Sequence, residues 1–377
     1  MPLTEIQLKL LKGRKLFRER VFAVLFMKLI KNVRLYGELC DIAVEDGKII
    51  EIGKLSGEGT DFGGAKIYPG LIDTHSHGCI GRDTGEGDLA EMARHYLKNG
   101  TTTWYPTTMT VSEEEIIAAT EAKTDIEGGA NIPGFHLEGP FINVKLKGAQ
   151  NEKYVIPPTM ELLKKCTAVK KISLAPEVEG SLDFIKECPA VVSIGHTTAD
   201  YDTAKAAFAA GAKCLTHTYN CMPGLHHRNP GPIPAGAECG AYAELICDGI
   251  HVHPAMVKLL INLYGTDKVV LISDSVRPAG LADGVYDLGG LNITVKDGVA
   301  RTEGGNLAGS TSMLIDCVRC AIRFGIPEED AVKMATLNPA RLMGLDKKGR
   351  IEVGCDADFI IVDDDFNLIK AIARGEF

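Results

Sequence analysis

The sequence predicts an α/β fold: a (β/α)8 barrel of parallel strands with a small, discontinuous β-sandwich domain built from the two ends of the chain. The 377 residues suffice for a barrel of roughly 250 residues and a second, smaller domain. Along the middle of the chain, short apolar runs alternate with stretches of helical period, as expected of repeated βα units. Both ends instead show strand patterns separated by turns.

Eight apolar runs predict the barrel strands, and this number favours a closed barrel over an open sheet. They are residues 70–75, 102–107, 132–138, 171–177, 190–196, 213–218, 243–249 and 269–274. Helical stretches separate most of them, with glycines as stop signals. The predicted helices are 89–99, 112–122 and 199–210 and, after a glycine-rich hairpin insertion at 279–305, 310–324 and 327–343.

The two ends of the chain predict one small β domain. After residue 27 two strand patterns follow, the second containing Asp46-Gly47, a dipeptide typical of hairpin turns. Residues 350–363 return to a strand pattern. We therefore predict a β domain from 27–67 and 345–377 and a barrel from 68–344. We predict that residues 1–26 form an N-terminal extension of unknown role. Their apolar stretch predicts neither a membrane span, because it is too short, nor a signal peptide, because it lacks a cleavage site.

Composition and charge exclude several classes of function. The net charge of −9 and the pI near 5.6 argue against broad attraction to nucleic acid or to an anionic membrane, so an anionic substrate needs a local basic pocket. Eleven scattered cysteines, an odd number, predict a reducing, cytoplasmic location rather than a disulfide framework. Cys317 and Cys320 lie in a helix-like run without a second ligand pair, which predicts no metal site there.

Candidate metal ligands stand at the ends of five predicted strands, where barrel enzymes place their sites. Histidine and carboxylate groups suit zinc or iron(II). Because side chains alternate along a strand, the two histidines of an H-x-H pattern can share one ion. One such histidine is more often a hydrogen-bonded core residue, but five strands ending this way predict a metal site. The residues are His75, His77, Glu138, His196, His217 and Asp274.

Longer motifs point to a family. They are PGLIDTHSHG (69–78), HLEGPF (136–141), GHT (195–197), HTYNCM (217–222), RNPG (228–231), DGIH (248–251), DSVRPAG (274–280), LAGS (307–310) and NPAR (338–341). With them the chain resembles the amidohydrolase superfamily and, within it, the N-acetylglucosamine-6-phosphate deacetylases; HLEGPF and the stretch after His217 are the most specific. The resemblance spans residue 27 to the C-terminus and implies removal of acetate from a sugar phosphate in amino-sugar catabolism.

The resemblance also implies roles for the candidate ligands. Glu138, His196 and His217 would hold the principal metal, Asp274 would act as acid and base, and His75 with His77 would bind a second ion in some members. Ligand type leaves the metal, zinc or iron, and the number of ions, one or two, open. A metal lowers the pKa of water and polarises a carbonyl, and a nearby carboxylate can move the proton to the departing amine. Asp274 could instead be a ligand or a helix cap.

For the sugar phosphate, the resemblance implies contacts from two loops and the segments after strands six and seven. Arg228 suits phosphate because its planar fork matches the phosphate oxygens, and it could serve a neighbouring subunit, since the family implies a homodimer. Cys221 stands where the family often has alanine, and Gln150 where some members have histidine. The full set is Ala149, Gln150, Asn220, Cys221, Arg228, His251, Leu307, Ala308 and Gly309.

Three alternatives stay open. One is a deacetylase of N-acetylgalactosamine 6-phosphate, since the sequence does not decode the loops that choose the epimer. Another is a different amide hydrolase, although Glu138 in place of a bridging carboxylated lysine argues against the dihydroorotase-like branch. A non-enzymatic scaffold is the third, because fold alone does not imply activity. Every ligand position is filled, which favours an enzyme.

Overall fold

The computed structural model describes residues 28–376, so the predictions for residues 1–27 lie outside the described part of the chain. The chain opens with four strands, β1 (Lys28–Leu35), β2 (Glu38–Glu45), β3 (Lys48–Gly53) and β4 (Thr60–Pro69). Strands β1, β2 and β3 pair as antiparallel hairpins. Asp46 and Gly47 both have positive φ, 48° and 72°, as a type I′ turn requires, so the predicted hairpin is confirmed.

Eight parallel strands follow and form the barrel. The first is β5 (Leu71–Ser76), and a short hairpin of β6 (Gly78–Cys79) and β7 (Arg82–Asp83) comes after it. The others are β8 (Thr101–Thr108), β9 (Phe135–Glu138), β10 (Val169–Leu174), β11 (Val191–Ile194), β12 (Cys214–Leu215), β13 (Tyr242–Ile246) and β14 (Val269–Ile272).

Neighbouring barrel strands pair in chain order from β5 to β14. The ring closes beyond the strand ends, where Asp274 N donates to His75 O at 2.9 Å and His77 N to Ser275 O at 2.7 Å. Below these bonds, Ser273 Oγ donates to the buried Asp73 carboxylate at 2.5 Å. Each predicted run overlaps one strand, and the predicted barrel is confirmed.

Ten α-helices lie in the described chain, most of them between barrel strands. They are α1 (Ala90–Lys98), α2 (Glu113–Thr120), α3 (Met160–Lys165), α4 (Ser181–Glu187), α5 (Tyr201–Ala210), α6 (Pro232–Glu238), α7 (Pro254–Tyr264), α8 (Leu314–Arg323), α9 (Glu328–Ala335) and α10 (Leu337–Leu342). The single helix predicted for 327–343 is wrong. It breaks at Thr336, because Pro339 has no N–H to donate to Ala335 four residues back.

The glycine-rich insertion after the eighth barrel strand is a small antiparallel sheet over the barrel mouth. Its strands are β15 (Gly284–Leu288), β16 (Leu291–Lys296) and β17 (Val299–Thr302). Apolar side chains of its inner face pack with Met109 and Val276 from the barrel loops. The predicted hairpin insertion therefore carries one wall of the mouth.

The chain ends with two strands, β18 (Phe359–Val362) and β19 (Leu368–Ile372), that return to the N-terminal sheet. The sheet order is β19-β18-β4-β1-β2-β3, with β18 antiparallel to β4. The fully buried Ile30, Ile42, Ile67 and Phe359 join both ends of the chain in one core. The discontinuous β domain is confirmed. Its predicted boundaries stay a prediction, and the predicted end at residue 67 lies within β4, which runs to Pro69.

Candidate metal centre and active site

The six predicted ligand and acid/base residues meet at the carboxyl end of the barrel. Three of them stand just past a strand in the left-handed region of the backbone: His196 (φ 46°), His217 (φ 29°) and Asp274 (φ 47°). Residues other than glycine rarely adopt this conformation, which costs about 1–3 kcal/mol and concentrates at functional sites. The turn bends the chain out of each strand and brings these side chains into the mouth.

Glu138 lies at the centre of the cluster and contacts four histidines. Its Oε1 is 3.1 Å from His75 Nε2, 3.0 Å from His217 Nε2 and 3.3 Å from His196 Nε2. Its Oε2 is 3.1 Å from His77 Nε2. The atoms form two groups that share this carboxylate, one with His75 and His77 and one with His196 and His217. This arrangement can hold one ion or two.

Backbone carbonyls fix the tautomer of two of these histidines. His77 Nδ1 lies 3.2 Å from Thr107 O, and His196 Nδ1 lies 2.9 Å from Leu146 O. A carbonyl oxygen can only accept, so each Nδ1 carries the hydrogen. In the neutral imidazoles the Nε2 lone pairs then point at the Glu138 carboxylate. A cation would hold these groups together, and the donor set fits a divalent metal.

The electrostatics of the metal-free cluster also favour a cation. Burial lowers the pKa of His77, but hydrogen bonds and charge from Asp274 and Glu138 outweigh burial and raise it to about 10. Burial likewise lowers the pKa of His75, and the charges of Glu138 and Asp274 raise it to about 9. The imidazoles of His75 and His77 are therefore doubly protonated when no metal is bound. A metal must displace one proton from each ring.

Asp274 faces the His75 and His77 side of the cluster. Its Oδ1 is 3.5 Å from His75 Nε2 and 3.3 Å from His77 Nε2. Burial raises its pKa, but the charge of His75 and the hydrogen bond from His77 lower it below the ordinary value for an aspartate. The group is therefore a carboxylate near neutral pH, able to accept a proton from water.

A cavity of about 470 Å³ opens above the cluster. Its floor includes His77, Glu138, His196, His217 and Asp274. Seven of the nine predicted substrate contacts line its walls: Ala149, Gln150, Asn220, Cys221, His251, Leu307 and Gly309. Residues that the sequence analysis missed, among them Lys145, Tyr219 and Leu288, line it too.

Two predicted substrate contacts lie away from the cavity wall. Ala308 is fully buried behind it and its N–H donates to Ala300 O at 3.1 Å. Arg228 lies in an exposed loop, where Nη1 is 2.7 Å from His227 Nε2. Within the described part of this one chain, Arg228 is thus not brought to the cluster.

The structure gives Gln150 a different partner from the predicted sugar. Its Nε2 donates to Glu138 Oε2 at 2.5 Å and its Oε1 accepts from Thr110 N at 2.7 Å. Gly148 (φ 58°) makes this loop fit, since a Cβ there would lie 2.7 Å from Cys221 Sγ. The amide therefore holds the central carboxylate, and its contact with a sugar stays a prediction.

His251 is held at the cavity wall by a neighbour. Its Nδ1 lies 2.7 Å from Asp248 Oδ2, and Asp248 Oδ1 accepts from the N–H groups of Ile250 and His251. Burial raises the pKa of Asp248, but His251 and these hydrogen bonds lower it. The second ring nitrogen of His251 is left for a ligand.

Comparison with known proteins identifies the family. Residues 67–377 match the amidohydrolase family model. The chain belongs to the amidohydrolase family and, within it, to the N-acetylglucosamine-6-phosphate deacetylases. It is 38% identical over 330 residues to the N-acetylglucosamine-6-phosphate deacetylase of Bacillus subtilis, covering 82% of this chain and 83% of the relative. It is 35% identical to an N-acetylgalactosamine-6-phosphate deacetylase of Escherichia coli O157:H7, with 89% and 93% covered.

Solved structures agree with this family. A mutant N-acetyl-D-glucosamine-6-phosphate deacetylase from Mycobacterium smegmatis, in complex with N-acetyl-D-glucosamine-6-phosphate, superimposes with a TM-score of 0.85 at 30% identity, covering 93% of this chain and 98% of that one. The enzyme from Thermotoga maritima gives 0.84 at 34% identity, with 92% and 98% covered. This amidohydrolase is thus a hydrolase with a cluster of histidines and a carboxylate that can hold a divalent metal. Among residues 28–376, no helix combines the length and apolar character needed to cross a bilayer.

Proposed function

We propose that this amidohydrolase converts N-acetyl-D-glucosamine 6-phosphate and water into D-glucosamine 6-phosphate and acetate. One observation carries the proposal: the cavity floor joins a cluster of histidine nitrogens and the Glu138 carboxylate to the carboxylate of Asp274. Amide hydrolysis needs a cation beside the carbonyl and a group that moves a proton from water to nitrogen. Both stand on the same floor.

We infer that Glu138, His196 and His217 hold the principal ion and that His75 and His77 hold a second ion with Glu138. The donors suit zinc or iron. An ion held there would polarise the acetyl carbonyl and make a water molecule more acidic. Asp274 accepts a proton from that water as the new C–O bond forms. It then gives the proton to the amine as the C–N bond breaks, so the carboxylate is restored.

The sugar phosphate would lie along the wall of the cavity. Asn220, His251 and the loop at Leu307 and Gly309 line it and can contact sugar hydroxyls or phosphate oxygens. The loop of Arg228 is exposed, which fits a role in a neighbouring subunit's site in a homodimer. Leu225, three residues before Arg228, is an exposed apolar side chain in the same loop.

The chain as a whole fits a cytoplasmic enzyme for a small anionic substrate. A net charge of −9 opposes binding to nucleic acid or to an anionic membrane surface. The free state of the eleven cysteines suits a reducing compartment. A second candidate substrate is N-acetylgalactosamine 6-phosphate, favoured by the similarity to the Escherichia coli O157:H7 relative.

Acetate release from purified, metal-analysed protein tests the proposal. The substrates are N-acetylglucosamine 6-phosphate, its galacto epimer and unphosphorylated N-acetylglucosamine. We expect the first to give the highest kcat/KM. Preference for the galacto epimer would move the assignment to the second candidate. Metal-loaded protein that releases acetate from none of the three would contradict deacetylation of this sugar.

A further inference from the structure

An ion pair lies inside the barrel, beneath the metal centre. Lys171 on β10 and Glu244 on β13 are fully buried, and Lys171 Nζ donates to Glu244 Oε1. Barrel interiors are usually filled by branched apolar side chains. Taking two charges out of water costs several kcal/mol per ion. Replacing a buried ion pair by well-packed apolar residues often leaves the stability of a protein unchanged or raises it. Stability alone therefore does not explain why this pair is here.

Glu244 uses both carboxylate oxygens to reach the residues around the cluster. Its Oε1 also accepts from Thr74 Oγ1 at 3.1 Å. Its Oε2 lies 3.3 Å from His75 Nδ1 and 3.4 Å from His217 N. Lys171 makes a further contact to Thr74 O at 3.3 Å. The pair therefore supports the underside of the strand that bears the H-x-H pattern.

With the contact between Glu244 and His75, three histidines of the cluster have an acceptor at their Nδ1 atom. His77 and His196 each give Nδ1–H to a backbone carbonyl, and His75 has a carboxylate at the same ring position. An ionised carboxylate can only accept, so His75 Nδ1 carries the hydrogen and Nε2 faces Glu138 and Asp274. His75 Nε2 is buried and makes no hydrogen bond with suitable geometry, which leaves it for a metal.

We propose that Glu244 is a positioning residue for the metal centre, with Lys171 as its fixed counter-charge. Glu244 holds His75 in one tautomer and one ring orientation, so that its Nε2 can bind the second ion. A carboxylate is also a stronger acceptor than a carbonyl, which makes the ligand nitrogen more basic. The inference rests on the proposed second-ion site at His75 and His77.

Two double variants separate positioning from packing. A single change at Glu244 would leave Lys171 buried without a partner and could prevent folding. Lys171→Met with Glu244→Leu removes the pair and the acceptor. Lys171→Met with Glu244→Gln removes the charges but keeps an oxygen for His75 Nδ1–H. Thermal unfolding in chelator first shows that both variants fold.

The readout is Co²⁺ binding to metal-free protein. Calorimetry and the visible absorption of each bound ion measure this binding. Wild-type protein should bind two ions, the weaker one lost in His75→Ala. The leucine variant should bind that ion about 10- to 100-fold more weakly, with the other ion retained. The glutamine variant should recover most of this loss.

Equal affinities in wild type and the leucine variant would overturn the inference and make the pair a core ion pair only. So would equal losses in both variants, because the amide oxygen that Glu244→Gln retains would then have no effect. Wild-type binding of one ion, unchanged in His75→Ala, would remove the second-ion site and the inference with it. If the variants show the expected Co²⁺ affinities but the protein releases no acetate, the positioning role of Glu244 stands. Only the proposed reaction is then contradicted.

Discussion

The two halves of the metal centre are built differently. His75 and His77 come from one strand, are almost fully buried, and are held by Glu244 and by Thr107 O. His196 and His217 come from two strand ends with positive φ and line the open cavity with Glu138. In the first half His75 is held from inside the barrel by Glu244, whereas both histidines of the second half line the cavity. We infer that the second half carries most of the chemistry.

The largest expected effect concerns Asp274, which contacts His75 and His77 in the first half. Asp274→Asn cannot accept the water proton, so kcat should fall by about 10²- to 10⁴-fold while the bound metal remains. Steady-state kinetics with metal analysis of the same sample measures both. A variant that keeps metal and full kcat would rule out Asp274 as the acid and base.

Removing a histidine from each half should have a different effect on activity and on bound metal. His196→Ala should lose the principal ion and about 10³-fold in kcat/KM, since a Lewis acid contributes several kcal/mol. His75→Ala is the matched control and should lose about tenfold while one ion is retained. The same loss from both would mean that the halves contribute equally, against the comparison above.

Arg228 tests whether a neighbouring subunit completes the substrate site. Arg228→Ala should raise KM about 10- to 100-fold for the phosphorylated sugar, since charged hydrogen bonds contribute about 1.5–3 kcal/mol. Unphosphorylated N-acetylglucosamine is the control and should keep its KM. Mixing Arg228→Ala with Asp274→Asn should restore part of the activity if the arginine acts in the partner's site. An equal rise in KM for both sugars would show that Arg228 binds no phosphate.

A smaller effect follows from the raised pKa values of His75 and His77, about 9 and about 10. At pH 8 both metal-free imidazoles are doubly protonated, and a metal needs them neutral, so loading the His75 and His77 site should release up to about two protons from this pair. Release should vanish as the pH rises above about 10. Calorimetry in buffers of different ionisation enthalpy counts the protons; none released at pH 8 would contradict the protonated cluster.

Much of the fold follows from the sequence, because strand and helix periods differ and glycine marks the turns. Strand-end positions gave six residues that the structure brings together, and the motifs gave their proposed roles. Pro339 was the signal for the break at Thr336, because a proline is tolerated in the first turn of a helix but not in its interior. The residues that orient the ligands were missed for another reason.

Carbonyls such as Thr107 O and Leu146 O have no signature, since any residue supplies one and only the loop path aims it. The positive φ of His196 is invisible for the same reason. Glu244 did leave a signal: a carboxylate in the apolar run of β13 is costly unless it is paired. Its partner Lys171 lies on β10, three strands earlier in the barrel, and only the three-dimensional structure joins them.

The most direct test of the account is anomalous diffraction at the metal edge from crystals of the protein as isolated. We expect a peak at about 2.0–2.2 Å from Glu138, His196 Nε2 and His217 Nε2, with a second peak beside His75 and His77. Crystals of metal-supplemented protein that show no peak there, with the imidazoles hydrogen-bonded directly to Glu138, would contradict it.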